Sequence, residues 1–579
     1  MSESYMAGFN NRVGIIALVL GVAVLCVRAL VRPGPKTGVV DAALCVSRPG
    51  FPRMPKSLLI LTSALLTLFT LAYYYCIPHL DEYGESLYAL PRLDMAMRYG
   101  LRLFSDVQWN YGPAMFYVHL LGMKLAWALD LDPEWGFCAA LIAWRILGAW
   151  ALFYVIDHLR IKLAYRILLF ALIGGPMTTD FSFAVQGSLL APLAPYLAIL
   201  ALHRTTRGLE PPMARKAILR FFGIALLCSL GVLSVRIDLG ITYGIVQTVY
   251  CGYSAWAGNR WKSIGIAASA LSLAIWILVF PGSAEMVAGF AGGGGNNPIY
   301  PSLFMFGYLA CLLWVVPALC KACLVRKPGV NAPLIAALGA EIVSHIPPCI
   351  SQCNAPHIYG QGLSVWIVTF AVLAACRPRL LPAFLTLFLI VFVVGMWVAS
   401  AIAYSSHLRF VSMTLAGHRE VAVKSESPLV RALNLYNYRA VITPLGVDRA
   451  TRAFLMDTGR YVPEYHPDMV SVVTRTDVGR KLRDLEKAEV VLVPESILQF
   501  GQASDAQIEA SLTASRAQRD DGISWQLGIG NLTPVQFRSQ SNPYLPYIDV
   551  ARHIARNYKP IPPIRAGTGW TLMVRDAPK

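Results

Sequence analysis

Residues 136–157 read GFCAALIAWRILGAWALFYVID, an apolar run of 22 residues that precedes a loop containing Arg160, Lys162 and Arg166. About 20 apolar residues in a helix cover the roughly 30 Å hydrocarbon layer of a bilayer. Lys and Arg are concentrated in the cytoplasmic loops of membrane proteins. The stretch therefore predicts a transmembrane helix that ends on the cytoplasmic side.

Similar apolar runs occur along the first two thirds of the chain, near 13–31, 57–77, 165–180, 183–203, 217–235, 239–257, 263–281, 301–320, 332–350, 361–376 and 380–402. Together they predict a mainly α polytopic membrane protein with about 12 transmembrane helices. The run at 13–31 is not interpreted as a cleaved signal peptide, because its basic residues follow the apolar stretch.

The basic residues between the runs predict the orientation. The loop at 32–56 is rich in Lys and Arg, so we place it in the cytoplasm and the N-terminus outside. A further apolar stretch at 113–129 would reverse the pattern of later basic loops if it crossed the membrane. We therefore interpret it as a helix in the outer interface. Residues 78–112 and 403–579 then lie outside.

Composition divides the chain of 579 residues. Only 14% of them are charged and the mean hydropathy is +0.52, whereas about 25% are charged in soluble domains. An ordinary cytosolic enzyme is excluded. We divide the chain into an extra N-terminal helix with a basic loop (1–56), a membrane module (57–402) and an extracytoplasmic domain (403–579).

The C-terminal part alternates two kinds of segment. Short β-rich runs occur at 420–424, 440–443, 489–493 and 571–575, and amphipathic helical stretches near 447–458, 478–487, 504–517 and 546–557. This alternation predicts a soluble α/β domain. The net charge of +17 does not indicate a nucleic-acid partner, because most of the excess lies in the membrane part, whose cytoplasmic loops are expected to be basic.

Polar residues gather at the predicted outer ends of the runs: Asp81, Glu82, Asp180, Arg236, Asp238, Asn354 and His357. Charges at a membrane boundary are costly unless they are paired or face water. Several of these positions also have a structural interpretation: a solvated loop start for Asp81 and Glu82, a mutual ion pair for Arg236 and Asp238, and an interfacial side chain for His357. Their common side of the membrane favours one outer site.

The segment after Asp81 carries an amphipathic pattern. Apolar residues recur there in steps of three and four, at Leu90, Leu93, Met97, Leu101 and Phe104. This spacing places them on one helical face. The pattern predicts a helix along the outer membrane surface.

Two carboxylates and an arginine at such a site suit inverting glycosyl transfer from a lipid-phosphate sugar. One carboxylate takes the proton of the acceptor hydroxyl, and the cation holds the departing phosphate. No cofactor is required besides the lipid-linked donor substrate. A divalent metal is compatible with this chemistry, although the sequence indicates no site for one.

The order of these features resembles the membrane glycosyltransferases of the GT-C superfamily, which includes protein mannosyltransferases and lipid A aminoarabinose transferases. The resemblance covers roughly 57–402 and includes the outer acids, Tyr111-Gly112-Pro113 opening a second interfacial helix, and Arg236-Ile237-Asp238. The chain departs from related sequences at Cys353-Asn354, where they often have Arg-Asp, and in its additional run at 13–31.

The resemblance implies roles for individual residues. Asp81 would be the catalytic base, Asp180 would position the acceptor or the base, and Glu82 would be a further catalytic residue. Arg236 would contact the donor phosphate, with the other polar residues around the substrate: Tyr111, Asp238, Asn354 and His357. The implied partners are a polyprenyl-phosphate-linked sugar, a glycan, lipid or protein acceptor, and membrane lipid, and the implied location is a bacterial inner membrane.

Two other functions stay open. A transporter or flippase of lipid-linked glycans is expected to have repeated halves and polar groups near the bilayer midplane, whereas the polar residues singled out above lie at one face. An inactive subunit of an envelope complex, with the C-terminal domain binding a partner, is the second.

Overall fold

The computed structural model describes most of the predicted membrane module and parts of the C-terminal region. Apart from single positions and short pieces, the described residues are 52–76, 111–179, 189–206, 215–280, 303–324, 331–346, 355–388, 490–508, 548–560 and 570–576. Asp81, Glu82, Asp180 and Asn354 lie outside them, and of His357 only the backbone is described.

The described membrane region is helical. Its helices are α1 (Lys56–Cys76), α2 (Pro113–Ala128), α3 (Pro133–Asp157), α4 (Leu163–Thr179), α5 (Leu190–Thr206), α6 (Arg215–Val235), α7 (Ile237–Trp256), α8 (Ile264–Val279), α9 (Leu303–Leu324), α10 (Ala332–Ser344), α11 (Ala355–Gln361), α12 (Leu363–Cys376) and α13 (Leu381–Phe388). A 3-10 turn, Arg260–Ser263, precedes α8. Each predicted run from 57–77 to 361–376 overlaps a helix, so their helical state is confirmed.

Four described helices have the length and composition needed to cross a membrane: Pro133–Asp157, Arg215–Val235, Arg260–Val279 and Phe304–Cys323. Shorter apolar helices accompany them at Lys56–Ala72, Leu163–Pro176, Ala332–Ser344 and Leu363–Cys376. Large apolar side chains such as Leu227 and Leu278 are 69% and 78% exposed. These are the features of a helical membrane protein.

Helices α2 and α3 approach each other closely at two glycines. A Cβ atom on Gly136 would lie 2.0 Å from the carbonyl oxygen of Gly122, and one on Gly122 would lie 2.4 Å from that of Gly136. Small residues permit such contacts between membrane helices. The 113–129 stretch is thus a helix packed on α3, and its side chains Leu121 and Leu125 are exposed. Its interfacial orientation stays a prediction.

Helix α10 is shorter than the run that predicts it. The run covers 332–350, but the regular helix spans 13 residues, Ala332–Ser344, or about 20 Å at 1.5 Å per residue. Pro347 and Pro348 follow, and proline has no backbone N–H for a helical hydrogen bond. The apolar composition of 332–350 alone does not show that the regular helix ends at Ser344.

The amphipathic face that follows Asp81 is buried at its described positions. Leu90, Leu93 and Met97 are 3%, 0% and 8% exposed and belong to a core cluster with α2, α3 and α7. Gly100 has a φ of 64°, typical of a residue that ends a helix. The predicted helix therefore does not extend to Phe104. This side chain is buried, but it belongs to the segment that follows the helix.

The described C-terminal residues contain a five-stranded mixed sheet. Its strands are β1 (Val441–Ile442), β2 (Tyr461–Val462), β3 (Val490–Pro494), β4 (Tyr558–Pro560) and β5 (Trp570–Arg575), in the order β2-β1-β3-β5-β4. Strand β1 is parallel to β2 and β3, and β5 is antiparallel to β3 and β4. Helices α14 (Glu495–Gln502) and α15 (Ile548–Asn557) pack together where Gly501 meets Ala551.

These elements test part of the sequence prediction. Strands are confirmed at 440–443, 489–493 and 571–575, and a helix is confirmed within 546–557. The predicted segments at 420–424 and 447–458 lie outside the described residues. Strands β2 and β4 were not expected, because two or three residues are too few to show an alternating pattern.

Candidate functional site

Helices α6 and α7 are joined by a single extended residue, Arg236. Its φ and ψ are −154° and 130°. Its amide donates to the carbonyl oxygen of Val232 at 3.0 Å, and its own carbonyl accepts from Gly240 at 2.9 Å. Both helices therefore continue directly from this residue, which explains why the sequence has no polar loop here.

Arg236 and Asp238 form a bidentate ion pair. Nε of Arg236 donates to Oδ1 of Asp238 at 2.9 Å, and Nη2 donates to Oδ2 at 2.5 Å. The two side chains are 12% and 18% exposed. Paired parallel hydrogen bonds of this kind fix orientation as well as adding attraction. The ion pair considered from the sequence is confirmed, and Asp238 holds the guanidinium in a defined direction.

The Tyr111-Gly112-Pro113 segment lies against this turn. The amide of Gly112 donates to the carbonyl oxygen of Val235 at 3.0 Å. A Cβ atom on Gly112 would lie 2.1 Å from the carbonyl oxygen of Ser234. Glycine alone permits this approach. The ring of Tyr111 packs edge-on against buried Trp109, with centroids 5.9 Å apart. The structure thus brings together two sequence segments that were assigned to one site.

A buried acid on α10 and the histidine that follows this helix form a second polar group near the ion pair. His345 is close enough to Asp238 for the two side chains to interact electrostatically. One turn earlier, Oε1 of Glu341 accepts a hydrogen bond from Ser364 at 2.5 Å and lies 3.3 Å from Nδ1 of His345. The side chains of Glu341 and His345 are 0% and 1% exposed. Polar groups therefore continue from Arg236 into the helix bundle.

This network is incompletely satisfied. Within the described residues, Oε2 of Glu341 and Nε2 of His345 have no hydrogen-bond partner. Ionisable groups inside membrane helices are rare and are typical of functional positions. Neither Glu341 nor His345 is among the residues predicted from the sequence. The available signal was an acid and a histidine four residues apart in an apolar run, a spacing that places both on one helical face.

Other polar side chains in the middle of apolar helices serve packing. Arg145 on α3 donates to the hydroxyl of Thr70 on α1 at 2.6 Å. Gln247 on α7 donates to the carbonyl oxygen of Gly265 at 2.8 Å and accepts from Ser229 on α6 at 3.1 Å. Such bonds between helices stabilise membrane bundles. They account for Gln247 without a ligand.

The remaining predicted residues can be placed only in part. Asp81, Glu82, Asp180 and Asn354 lie outside the described residues, while the backbone of His357 belongs to α11. In the part of the chain that the structure describes, no group of three or more His, Cys, Asp or Glu side chains is placed to hold a metal ion.

No protein-family model matches the chain, and none of the curated proteins matches it.

Proposed function

We propose that the protein is a membrane glycosyltransferase of the GT-C type. It moves a sugar from a polyprenyl-phosphate donor to a glycan, lipid or protein acceptor of the cell envelope. In this proposal about 12 helices cross a bacterial inner membrane, and the N-terminus and 403–579 lie on the extracytoplasmic side. The apolar helices and the distribution of basic loops support this arrangement.

One observation carries most of the proposal, namely the hydrogen bond between Gly112 and Val235. It joins the Tyr111-Gly112-Pro113 segment to the Arg236 turn, although they are far apart in sequence. The sequence pattern places both segments at the outer site. A nearly buried arginine, oriented by Asp238, stands at their junction and supplies the cation that a departing phosphate needs.

The proposed reaction is a single displacement. The acceptor hydroxyl attacks the anomeric carbon on the face opposite the phosphate, and Asp81 takes the hydroxyl proton. The bond between that carbon and the phosphate oxygen breaks, and the polyprenyl phosphate leaves with the electron pair. The anomeric configuration is inverted. Arg236 stabilises the negative charge on the phosphate, while Asp180 and Glu82 position the acceptor and the base.

The test uses purified protein in liposomes that contain a polyprenyl-phosphate donor with a radiolabelled sugar. We expect transfer of label to an envelope acceptor and release of polyprenyl phosphate, both lost in Asp81→Asn. A parallel assay follows a fluorescent lipid-linked sugar across the bilayer. Translocation without transfer would identify a transporter, and absence of both with every donor and acceptor class would favour the inactive subunit.

A further inference from the structure

A second polar cluster lies at the opposite ends of three helices. It contains His158 at the end of α3, Arg166 near the start of α4, and His203 and Arg204 at the end of α5. The charges of Arg166, His203 and Arg204 all act on His158. The basic-loop pattern places these helix ends on the cytoplasmic side. The cluster is thus separate from the proposed catalytic site.

The acid beside this cluster is already engaged. Oδ1 of Asp157 accepts hydrogen bonds from Nη1 of Arg166 at 3.0 Å and from the amide of Met54 at 2.7 Å. Arg204 forms no ion pair with any carboxylate among the described residues; its guanidinium contacts Tyr154 and His158 instead. The cluster therefore carries a positive charge that the neighbouring acid does not balance.

The hydrogen bond between Arg204 and His158 determines the state of the imidazole. Nη2 of Arg204 lies 3.2 Å from Nδ1 of His158. A guanidinium only donates, so Nδ1 must be the acceptor and the proton must reside on Nε2. Burial, together with the positive charges of Arg204 and Arg166, lowers the pKa of His158 to about 3, which keeps the ring in this neutral form.

Two donors of the cluster then lack acceptors. In the described part of the chain, Nε2 of His158 and Nε of Arg204 have no hydrogen-bond partner, and the whole His158 residue is 2% exposed. A buried donor without a partner costs about 1–3 kcal/mol. An acceptor that carries a negative charge would satisfy both donors and would also match the cationic surroundings.

An apolar stripe leads along α3 to this cluster. Leu147, Trp150 and Tyr154 recur at helical spacing and are 48%, 55% and 41% exposed. The stripe ends where the guanidinium of Arg204 stacks over the Tyr154 ring, 4.9 Å from its centroid. An exposed apolar stripe that ends at a cationic cluster matches the two parts of a lipid, an acyl chain and a charged headgroup.

We propose that Arg204 and His158 bind the phosphate of an anionic phospholipid of the inner leaflet, whose acyl chain lies along Leu147, Trp150 and Tyr154. Basic pockets between helices on the cytoplasmic side recognise anionic headgroups in this way. The site is independent of the glycosyl-transfer proposal, since it uses none of the residues assigned to that reaction.

The experiment uses delipidated full-length protein in neutral detergent. Dioleoyl phosphatidylglycerol, dioleoyl phosphatidylcholine or soluble glycerol phosphate is added, and bound lipid is measured by native mass spectrometry alongside thermal unfolding. We expect the phosphatidylglycerol to bind and to raise the unfolding temperature more than the other two. Arg204→Gln should weaken its binding by about tenfold to a hundredfold, since hydrogen bonds to charged groups are strong.

Three variants make the test specific. Arg260→Gln removes an exposed positive charge from the same predicted side and should leave binding unchanged. His158→Asn keeps an acceptor near the Nδ1 position but removes the Nε2 donor, so it should weaken binding. His158→Gln places an amide donor near the Nε2 position and should restore part of it. If Arg204→Gln does not fold, the comparison of His158→Asn with His158→Gln still tests whether the Nε2 donor binds the lipid.

Three results would overturn the proposal. The first is equal binding of phosphatidylglycerol and phosphatidylcholine. The second is an equal loss in Arg260→Gln and Arg204→Gln, which would show a non-specific charge effect. The third is glycerol phosphate competing as well as the lipid, which would indicate a soluble phosphate as the ligand.

Discussion

The amide of Gly112 donates a 3.0 Å hydrogen bond to the carbonyl oxygen of Val235. Val235 is the last residue of α6, and the final carbonyl groups of a helix lack partners within it. The start of α2 supplies this partner. The position of the Arg236 turn relative to α2 therefore depends on a contact that only a residue without a side chain permits.

The first prediction concerns Gly112→Ala. The added Cβ would lie 2.1 Å from the carbonyl oxygen of Ser234, which is backbone and moves only with its helix. We expect a loss of about 1–3 kcal/mol in stability, as for overpacked interiors, together with reduced sugar transfer. Thermal unfolding in detergent and the liposome assay measure the two effects.

Gly244→Ala is the matched control. Gly244 lies on α7, and a Cβ there would meet nothing within 4 Å. Alanine favours a helix over glycine by up to about 1 kcal/mol, so this variant should be as stable as the parent or more so. If both variants unfold at the same temperature, the close contact at Gly112 has no energetic importance.

The second prediction separates the two roles of Arg236. An arginine that holds a phosphate makes planar, charge-assisted contacts that lysine reproduces poorly. Arg236→Lys should therefore weaken binding of the polyprenyl-phosphate donor by roughly tenfold while the protein still folds. Equilibrium binding of a labelled donor in detergent measures the change.

A double-mutant cycle tests the structural alternative. Removing one partner of a poorly solvated ion pair is destabilising by about 3–5 kcal/mol at most, so Arg236→Met and Asp238→Leu should each lower stability. The double variant should recover much of the loss. If stability recovers fully and donor affinity never changes, Arg236 serves only the ion pair.

The third prediction addresses the buried network at Glu341. Ser364→Ala removes the hydroxyl that donates to Glu341 at 2.5 Å and leaves a buried acceptor with fewer partners. We expect a loss of about 1–3 kcal/mol. The control is Ser344→Ala, because the Ser344 hydroxyl bonds, among the described residues, to carbonyl groups of its own helix. Similar unfolding temperatures for the two variants would contradict the importance of the network.

Features set by local composition were predictable. The positions of the membrane helices follow from runs of apolar residues, and the buried face at Leu90, Leu93 and Met97 follows from their spacing. The ion pair was also predictable as one of two interpretations, because two opposite charges two residues apart at a membrane boundary have reason to pair.

Features that depend on distant packing were not predictable. The contact of Gly112 with Val235 joins residues from different helices, as does the bond between Ser364 and Glu341. Neither leaves a periodic trace in the sequence. Helix α10 ends at Ser344, inside a run whose composition is typical of a span, and the composition does not mark this end.

The fourth prediction concerns Asp81, assigned from the sequence as the base. Asp81→Asn keeps the shape of the side chain but removes its capacity to accept a proton. Turnover should fall by roughly 10²–10⁴-fold, with donor binding nearly unchanged. Glu82→Gln should have a milder effect. If Asp81→Asn stays within a few fold of the parent, Asp81 is only the start of a solvated loop.

The last prediction is the orientation of the chain, on which the proposed site depends. Ala506 and Arg53 are both exposed and lie in segments assigned to opposite sides. In a cysteine-free background, Ala506→Cys should react with a membrane-impermeant maleimide in spheroplasts, whose inner membrane is intact. Arg53→Cys should react only after permeabilisation, because basic loops remain in the cytoplasm. Total labelling after detergent lysis controls for the reactivity of each thiol. The reverse pattern would place the C-terminal region in the cytoplasm and move Arg236 and Asp81 to that side. An extracytoplasmic transfer reaction at these residues would then be excluded.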